Sequence, residues 1–357
     1  MDELTSRRII LLGKTGVGKS SLANTIFGEE VFNISHSPNS ETCRSRAETK
    51  YVNGKCITLI DTYSFFDTCV SETLLQAEIM RCITECVPGP HVFLIVLKVE
   101  KFTVQEQEVI EQICQYFSDD ALKHAAVVFT HGDQLPESMN IQEFVFKNKM
   151  LSDLVNKCRG QCHVVDNKYW KINEEDNYRN NQFQVGELLR TIDELIKANK
   201  GNYYTNDMLK AVKREIQREE EHIRKSSGNL SPEEIGNQAR KSVFDTLIIR
   251  LAGIATGVLL GALLGVAGTV TSIVNNLIQG SSVTPTDAVV LAVQSGGAGG
   301  FRIGFDAAEG AHNPTEAMKR AAEAVWKQST RISSQPSFGT NQDNSCTDNK
   351  NMGPGGL

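Results

Sequence analysis

Gly13-Lys14-Thr15-Gly16-Val17-Gly18-Lys19-Ser20 decides the fold. The octet has the form G-x-x-x-x-G-K-[ST]. It stands between the apolar run Arg8-Ile9-Ile10-Leu11-Leu12 and Ser21-Leu22-Ala23-Asn24-Thr25-Ile26, which reads as a helix. In that strand, loop and helix order, glycines let successive backbone N–H groups converge on phosphate oxygens, and the helix N-terminus adds partial positive charge. Lys19 is placed to neutralise the β- and γ-phosphates, and Ser20 to ligate Mg²⁺. The expected nucleotide cradle is thus Gly13, Lys14, Thr15, Gly16, Val17, Gly18, Lys19, Ser20 and Ser21.

Outward from this loop, short apolar runs recur at Ile57-Thr58-Leu59-Ile60, Val92 to Leu97, Ala125 to Phe129 and His163-Val164-Val165, with helix-like segments between them. Near-continuous apolar strands belong in a sheet covered on both faces, so the pattern predicts a three-layer α/β domain of the P-loop NTPase class. Ligands of such sheets bind beyond the carboxyl ends of the strands. Three residue groups fall there. Asp61, after the second run, is the acid expected to hold the water shell of Mg²⁺; the D-x-x-G element it would begin carries Ser64 in place of glycine, followed by Phe65. Thr130-His131-Gly132-Asp133 has the spacing of the guanine-reading element N-K-x-D. A carboxylate at Asp133 can accept from the guanine N1–H and exocyclic amine, a pair of donors that adenine lacks. Asn167, in Asp166-Asn167-Lys168, stands where such domains close over the base, with Thr130 and His131 beside it.

The length of 357 residues predicts two domains or one domain with a long appendage. With 37 basic against 43 acidic side chains the net charge is −6, which argues against a general affinity for nucleic acid and keeps phosphate binding local. Nine cysteines without a C-x-x-C pair suit a reducing compartment, and neither a signal peptide nor an ordinary lipid anchor is expected. Cys82/Cys86 and Cys158/Cys162 lie at helical spacing, but each lacks the second pair that a zinc site needs.

Together with Leu12 to Ser21 and Asn24-Thr25-Ile26-Phe27-Gly28, the block Pro88-Gly89-Pro90-His91-Val92-Phe93-Leu94-Ile95-Val96-Leu97, followed by Lys101-Phe102-Thr103, resembles the GTPases of the immunity-associated protein family, the GIMAP or IMAP group. The resemblance spans roughly residues 6 to 200 and a charged helical extension to about 228. It implies an AIG-type G domain that binds GTP and GDP with Mg²⁺ and self-associates in a nucleotide-dependent way, with roles in immune-cell survival or defence. Ser40, in Ser40-Glu41-Thr42-Cys43, aligns with the family's first-switch hydroxyl that reaches Mg²⁺ and the γ-phosphate; Thr42 is the rival. Phe65 occupies the place where many GTPases carry a water-orienting glutamine, so slow intrinsic hydrolysis is expected, and Lys101 is the candidate catalytic cation offered across a dimer. The alternative is a nucleotide-gated scaffold that binds GTP and assembles on membranes with negligible hydrolysis.

The expected organisation is a G domain over 1–200, a charged helical extension over 201–246, a hydrophobic glycine-rich membrane segment over 247–305 and a polar, disordered tail over 306–357. Tyr203 to Lys225, dense in Lys, Arg and Glu, reads as a solvent-facing helix, and Ser231-Pro232-Glu233-Glu234 as the start of a short second one. From Leu251 to Thr286 there is no charged residue, and Gly253, Gly257, Gly261 and Gly265 recur every fourth position. This predicts a transmembrane helix over 251–274 that pairs through its glycine ridge, with the G domain tethered on the cytosolic face of an intracellular membrane.

Overall fold

The computed structural model describes residues 6–34, 45–62, 65, 72–101, 103–170, 178–226, 230–251, 256–266 and 274. In chain order the elements are β1 (Arg7–Leu12), α1 (Lys19–Phe27), β2 (Arg46–Val52), β3 (Lys55–Asp61), α2 (Glu72–Cys86), β4 (Val92–Lys98), α3 (Val104–Tyr116), α4 (Asp119–Leu122), β5 (Ala125–Thr130), α5 (Ile141–Phe146), α6 (Lys149–Lys157), β6 (Cys162–Val164), α7 (Asn181–Ala198), α8 (Asp207–Ser226), α9 (Pro232–Arg250) and α10 (Thr256–Leu264). The six strands lie in the order β2-β3-β1-β4-β5-β6. β2 alone runs antiparallel.

Strand alternation splits the core in two. Ile10 and Leu12 of β1, Phe93 and Ile95 of β4, and Val127 and Phe129 of β5 face α2, α3, α5, α6 and the C-terminal helices. Ile9, Leu11, Leu94, Val96 and Val128 face α1 and α7. The sheet is therefore buried on both sides, as its continuous apolar strands require. Because β1 is central and its neighbours β3 and β4 depart to opposite sides, the loop after β1 sits at the switch point of the sheet.

The block Pro88 to His91 lies at the other end of the sheet from that loop. Arg8 N donates to His91 Nδ1 at 3.0 Å and Arg8 Nε to the Gly89 carbonyl at 2.9 Å, while Tyr204 N donates to the Pro90 carbonyl at 2.8 Å. The block thus clasps the connection between α7 and α8 to the foot of the sheet. Burial, and then the neighbouring Arg8 charge, lowers the His91 pKa to about 4, which favours a neutral ring there.

The helical extension corrects the sequence reading. α8 is not solvent-facing all round: Met208, Leu209, Val212, Ile216 and Ile223 form a narrow buried stripe that joins the main core. Eleven charged side chains among its 20 residues hide such a stripe in any composition average, yet one residue per turn is enough to dock a helix. α9 begins as expected, with Ser231 and Glu234 in a reciprocal cap and Pro232 at the first position, but extends over 19 residues.

The expected transmembrane helix over 251–274 is likewise not found as such. Among the described residues no helix is long and apolar enough to cross a membrane. α10 has nine residues and packs chiefly on α2, with α3 and α8 beside it. Leu259, Leu260, Leu263 and Leu264 are at most 1% exposed. Hydropathy cannot separate these outcomes, because a protein groove and a bilayer both remove water from every face. Burying four leucines gives about 6–12 kcal/mol. Ordering nine backbones costs about 1–2 kcal/mol each, of the same size. Residues 252–255, 267–273 and 275–357, which hold most of the expected membrane segment and all of the polar tail, lie outside the described residues.

Candidate nucleotide site

The phosphate loop takes its shape from close contacts below it. A Cβ on Gly13 would lie 2.4 Å from the Val96 carbonyl oxygen, so only glycine lets the loop rest on β4. Gly18 has φ 85°, the left-handed geometry that turns the chain into α1. Lys19, 8% exposed, donates to the carbonyls of Gly13 at 2.9 Å and Lys14 at 3.1 Å. Its ammonium thus spans the mouth of the loop, where phosphate oxygens can replace those carbonyls.

Asp61 ends β3 directly beside Leu11 of β1. Ser20 Oγ donates to its Oδ2 at 2.5 Å. Its Oδ1 is buried without a hydrogen-bond partner. Burial raises the Asp61 pKa, against the opposing pull of the Lys19 charge and the Ser20 hydrogen bond. A buried carboxylate oxygen with nothing to satisfy it, next to a serine hydroxyl, is the donor set of a hard divalent cation. Thr15 and Gly16 form the exposed lip, and Ser21 lies within the first turn of α1. Lys14 lies 3.9 Å from Glu106 of α3, a residue whose Oε2 also accepts from Thr103 N at 3.2 Å. Thr103 is thereby tied through Glu106 to the phosphate loop.

On the base side, Thr130 is fully buried, and its hydroxyl donates to the Val17 carbonyl at 2.6 Å. Thr130 fastens the base-reading strand to the phosphate loop instead of facing a base. Asn167 does the same from the far side: its Oδ1 accepts from Thr25 at 2.9 Å, and its Nδ2 lies 3.5 Å from the Gly18 carbonyl. His131 sits in the left-handed region, 3.0 Å from the Thr130 hydroxyl. Burial and then the Lys98 charge depress its pKa, which favours a neutral ring. Asp133 is half-buried, its Oδ2 held by the Gln134 amide at 2.5 Å. Lys101 is exposed at the exit of β4. Ser40, its rival Thr42, and Ser64 lie outside the described residues. Phe65 is in the core, 5% exposed.

Two residues escaped the sequence reading. Asp166, 2% exposed, accepts from Lys168 N at 2.9 Å, from Tyr169 N and from Asp133 N at 3.2 Å. Although burial opposes its charge, these donors hold its pKa below the usual carboxylate range. It joins the two base-side loops into one unit. Trp170 lies against Gly132, where an added Cβ would meet its ring at 2.6 Å, and it stacks beside the Arg179 guanidinium at 5.7 Å. The Asp-Asn-Lys turn was the only available signal for Asp166, and Trp170 had none. Among the described residues Cys82 and Cys86 are buried free thiols, with burial pushing Cys86 up to about 12, and no group of metal-holding side chains gathers around them.

The sequence matches the profile of the AIG1 family over residues 7–223. The chain belongs to the AIG1 family. The match takes in the whole six-stranded sheet with its phosphate loop and most of α8. Relatives include GTPase IMAP family member 8 of Homo sapiens, 31% identical over 204 residues, covering 57% of this chain and 30% of the relative. Immune-associated nucleotide-binding protein 9 of Arabidopsis thaliana is 26% identical over 266 residues, covering 69% and 72%. The match therefore spans less than a third of the human AIG1-family relative. Among solved structures, Toc33 of Arabidopsis thaliana in complex with GDP and Mg²⁺ aligns with a TM-score of 0.42 at 23% identity, over 54% of this chain and 84% of that one. α9 and α10 lie beyond the AIG1 match.

Proposed function

We propose that the chain is a guanine-nucleotide switch that holds GTP or GDP with Mg²⁺, hydrolyses GTP slowly and self-associates at a membrane. The observation that carries this reading is the unpartnered Asp61 Oδ1 beside Ser20, within a phosphate loop already fastened to the base-side strand by Thr130. Ser20 and Asp61 would hold Mg²⁺, which would supply charge neutralisation between the β- and γ-phosphates. Ser40 would join them in the GTP state.

Lys19 leaves the Gly13 and Lys14 carbonyls for the phosphates. His131 lays a neutral ring against the base, and Asp133 exchanges the Gln134 amide for the guanine donors. Trp170, behind Gly132, keeps that turn from yielding. Phe65 points into the core, so nothing at its position orients a water, which supports slow turnover by the isolated G domain. Exposed Lys101 is free to reach the γ-phosphate of a second copy. Membrane attachment rests on the uncharged run from Leu251 to Thr286, with the G domain on the cytosolic side of an intracellular membrane.

The test is GTP turnover by the full chain, with and without Mg²⁺, across a hundredfold range of protein concentration. A Mg²⁺-dependent rate per molecule that rises with concentration supports the reading. A rate per molecule independent of concentration removes the trans-acting lysine, and turnover indifferent to Mg²⁺ removes the assigned metal site.

A further inference from the structure

We propose that α10 is the stowed form of a bilayer-inserting segment, held on the face made by α2, α3 and α8 and released to a lipid membrane when GTP replaces GDP. The proposal deepens the switch reading above and rests on it for its nucleotide dependence.

The first observation is where α10 stops. Gly265 has φ 92°, and a Cβ there would lie 2.3 Å from the Tyr204 hydroxyl and 2.6 Å from the Ser118 hydroxyl. In a helix continuing past this point, the carbonyls of Ala262, Leu263 and Leu264 would accept from amides one turn further on. In the docked form they accept from Ser118 and from the connection between α7 and α8. Asn206 Nδ2 donates to Ala262 at 2.9 Å and Leu263 at 3.3 Å, Tyr204 Oη to Leu263 at 3.4 Å, and Ser118 N to Leu264 at 3.0 Å. The stowed nine-residue helix and a longer helix through Gly265 therefore exclude each other. Asn206, Tyr204 and Ser118 are the groups that choose between them.

The second observation is what α10 could become. The uncharged run Leu251 to Thr286 is several times longer than α10, long enough to span a hydrocarbon core of about 30 Å at 1.5 Å per helical residue. Lys241 and Arg250 precede it, which suits an anionic leaflet. Neither of the helix's two glycines, Gly257 and Gly261, favours an isolated nine-residue helix in water. A segment of this kind leaves its groove for another dry environment, not for solvent.

The third is the connection to the nucleotide. α10 rests on α2, the first helix after the Asp61 loop. Within α2, Glu78 is 2% exposed and accepts from Ser45 N, at the point where the chain returns from the first-switch segment. Its other carboxylate oxygen lies 3.5 Å from Arg81 Nε, and the Arg81 guanidinium sits 4.6 Å over the Phe244 ring of α9. α2 is thus fixed to the switch segment on one side and to the helical extension on the other. A γ-phosphate that draws on the chain before Ser45 would pull on Glu78 and so shift the floor on which α10 lies.

The experiment is flotation of the full chain with vesicles of phosphatidylcholine and phosphatidylserine in four-to-one ratio, loaded with GDP or with a non-hydrolysable GTP analogue, followed by a carbonate wash. Asn206→Asp keeps the oxygen that caps α8 through Leu209 N but loses both donors to α10. Gly265→Leu removes the left-handed turn. Wild type is expected to float more with the analogue than with GDP by about 5- to 150-fold, the range of a typical coupling free energy. Both variants are expected to float with GDP while binding labelled GDP like wild type.

Variants that stay with wild type in the unfloated GDP fraction would overturn the stowage. So would floated chain that washes off in carbonate, or variants that dimerise in light scattering without floating. Equal flotation of wild type in both nucleotides would overturn the coupling. Wild type that takes up no guanine nucleotide would instead sink the switch reading, and the Asn206→Asp comparison would still report on stowage.

Discussion

Thr130→Val isolates the fastening between the base-reading strand and the phosphate loop. The substitution keeps the volume and branching of the side chain and deletes only the hydroxyl. Thr130 is fully buried, and its hydroxyl lies 2.6 Å from the Val17 carbonyl and 3.0 Å from His131 Nδ1. With valine in place, the Val17 carbonyl loses that donor in a site closed to water. Stranding such a group costs about 1–3 kcal/mol. Because the bond is made without nucleotide, most of that loss should fall on the fold. For a domain of this size about 2–4 °C of melting temperature accompanies each kcal/mol, so Tm should fall by roughly 2–12 °C. GDP affinity should fall by less than about tenfold, or 1.4 kcal/mol. Differential scanning calorimetry and a labelled-GDP titration on the same preparation read both quantities. A variant that melts with wild type and binds GDP equally would refute the claim that this bond shapes the loop.

Asp61→Asn should raise the melting temperature of the nucleotide-free protein above neutral pH while abolishing the Mg²⁺ dependence of GTP binding. The sign follows from the raised pKa: wild type loses stability as pH rises from the unfolded carboxylate value of about 3.9 through the elevated folded value, and asparagine loses none. Melting curves with EDTA and with Mg²⁺ decide it. Lys101→Ala should flatten the concentration dependence of turnover and leave GDP affinity unchanged, as measured by single-turnover assays at two protein concentrations. Trp170→Ala should weaken GDP binding far more than pyrophosphate binding, because the ring supports the base-side turn at Gly132; competition titrations separate the two.

The phosphate loop and Asp61 were legible in the sequence because their chemistry is local: eight consecutive residues and one acid at a strand end carry their meaning without long-range partners. The three-layer sheet was legible for a related reason, since strands buried on both faces read as unbroken apolar runs. Thr130 was read as a base contact because its spacing is that of a base reader; that its hydroxyl turns inward to Val17, 113 positions away in the chain, is a tertiary fact. Asp166 and Trp170 act by joining loops that only the fold brings together. The charged extension and the start of the apolar segment beyond it differ from their composition for opposite reasons. In α8 a charged composition masked a one-residue-per-turn apolar stripe. In α10 an apolar composition reads as a membrane helix, whereas among the described residues α2, α3 and α8 provide the cover.

Guanine selectivity at this site rests on Asp133. Binding of GDP and of xanthosine diphosphate to wild type and to Asp133→Asn measures it most directly, since xanthine carries a carbonyl where guanine carries its exocyclic amine. Wild type should prefer GDP. The variant should lose about 1.5–3 kcal/mol toward GDP, roughly ten- to a hundredfold, as charge-assisted acceptors become a neutral amide. It should gain affinity for xanthosine diphosphate, to whose carbonyl the asparagine amine can donate. A variant that binds GDP as tightly as wild type and ignores the xanthine nucleotide would place the base elsewhere and contradict the assignment.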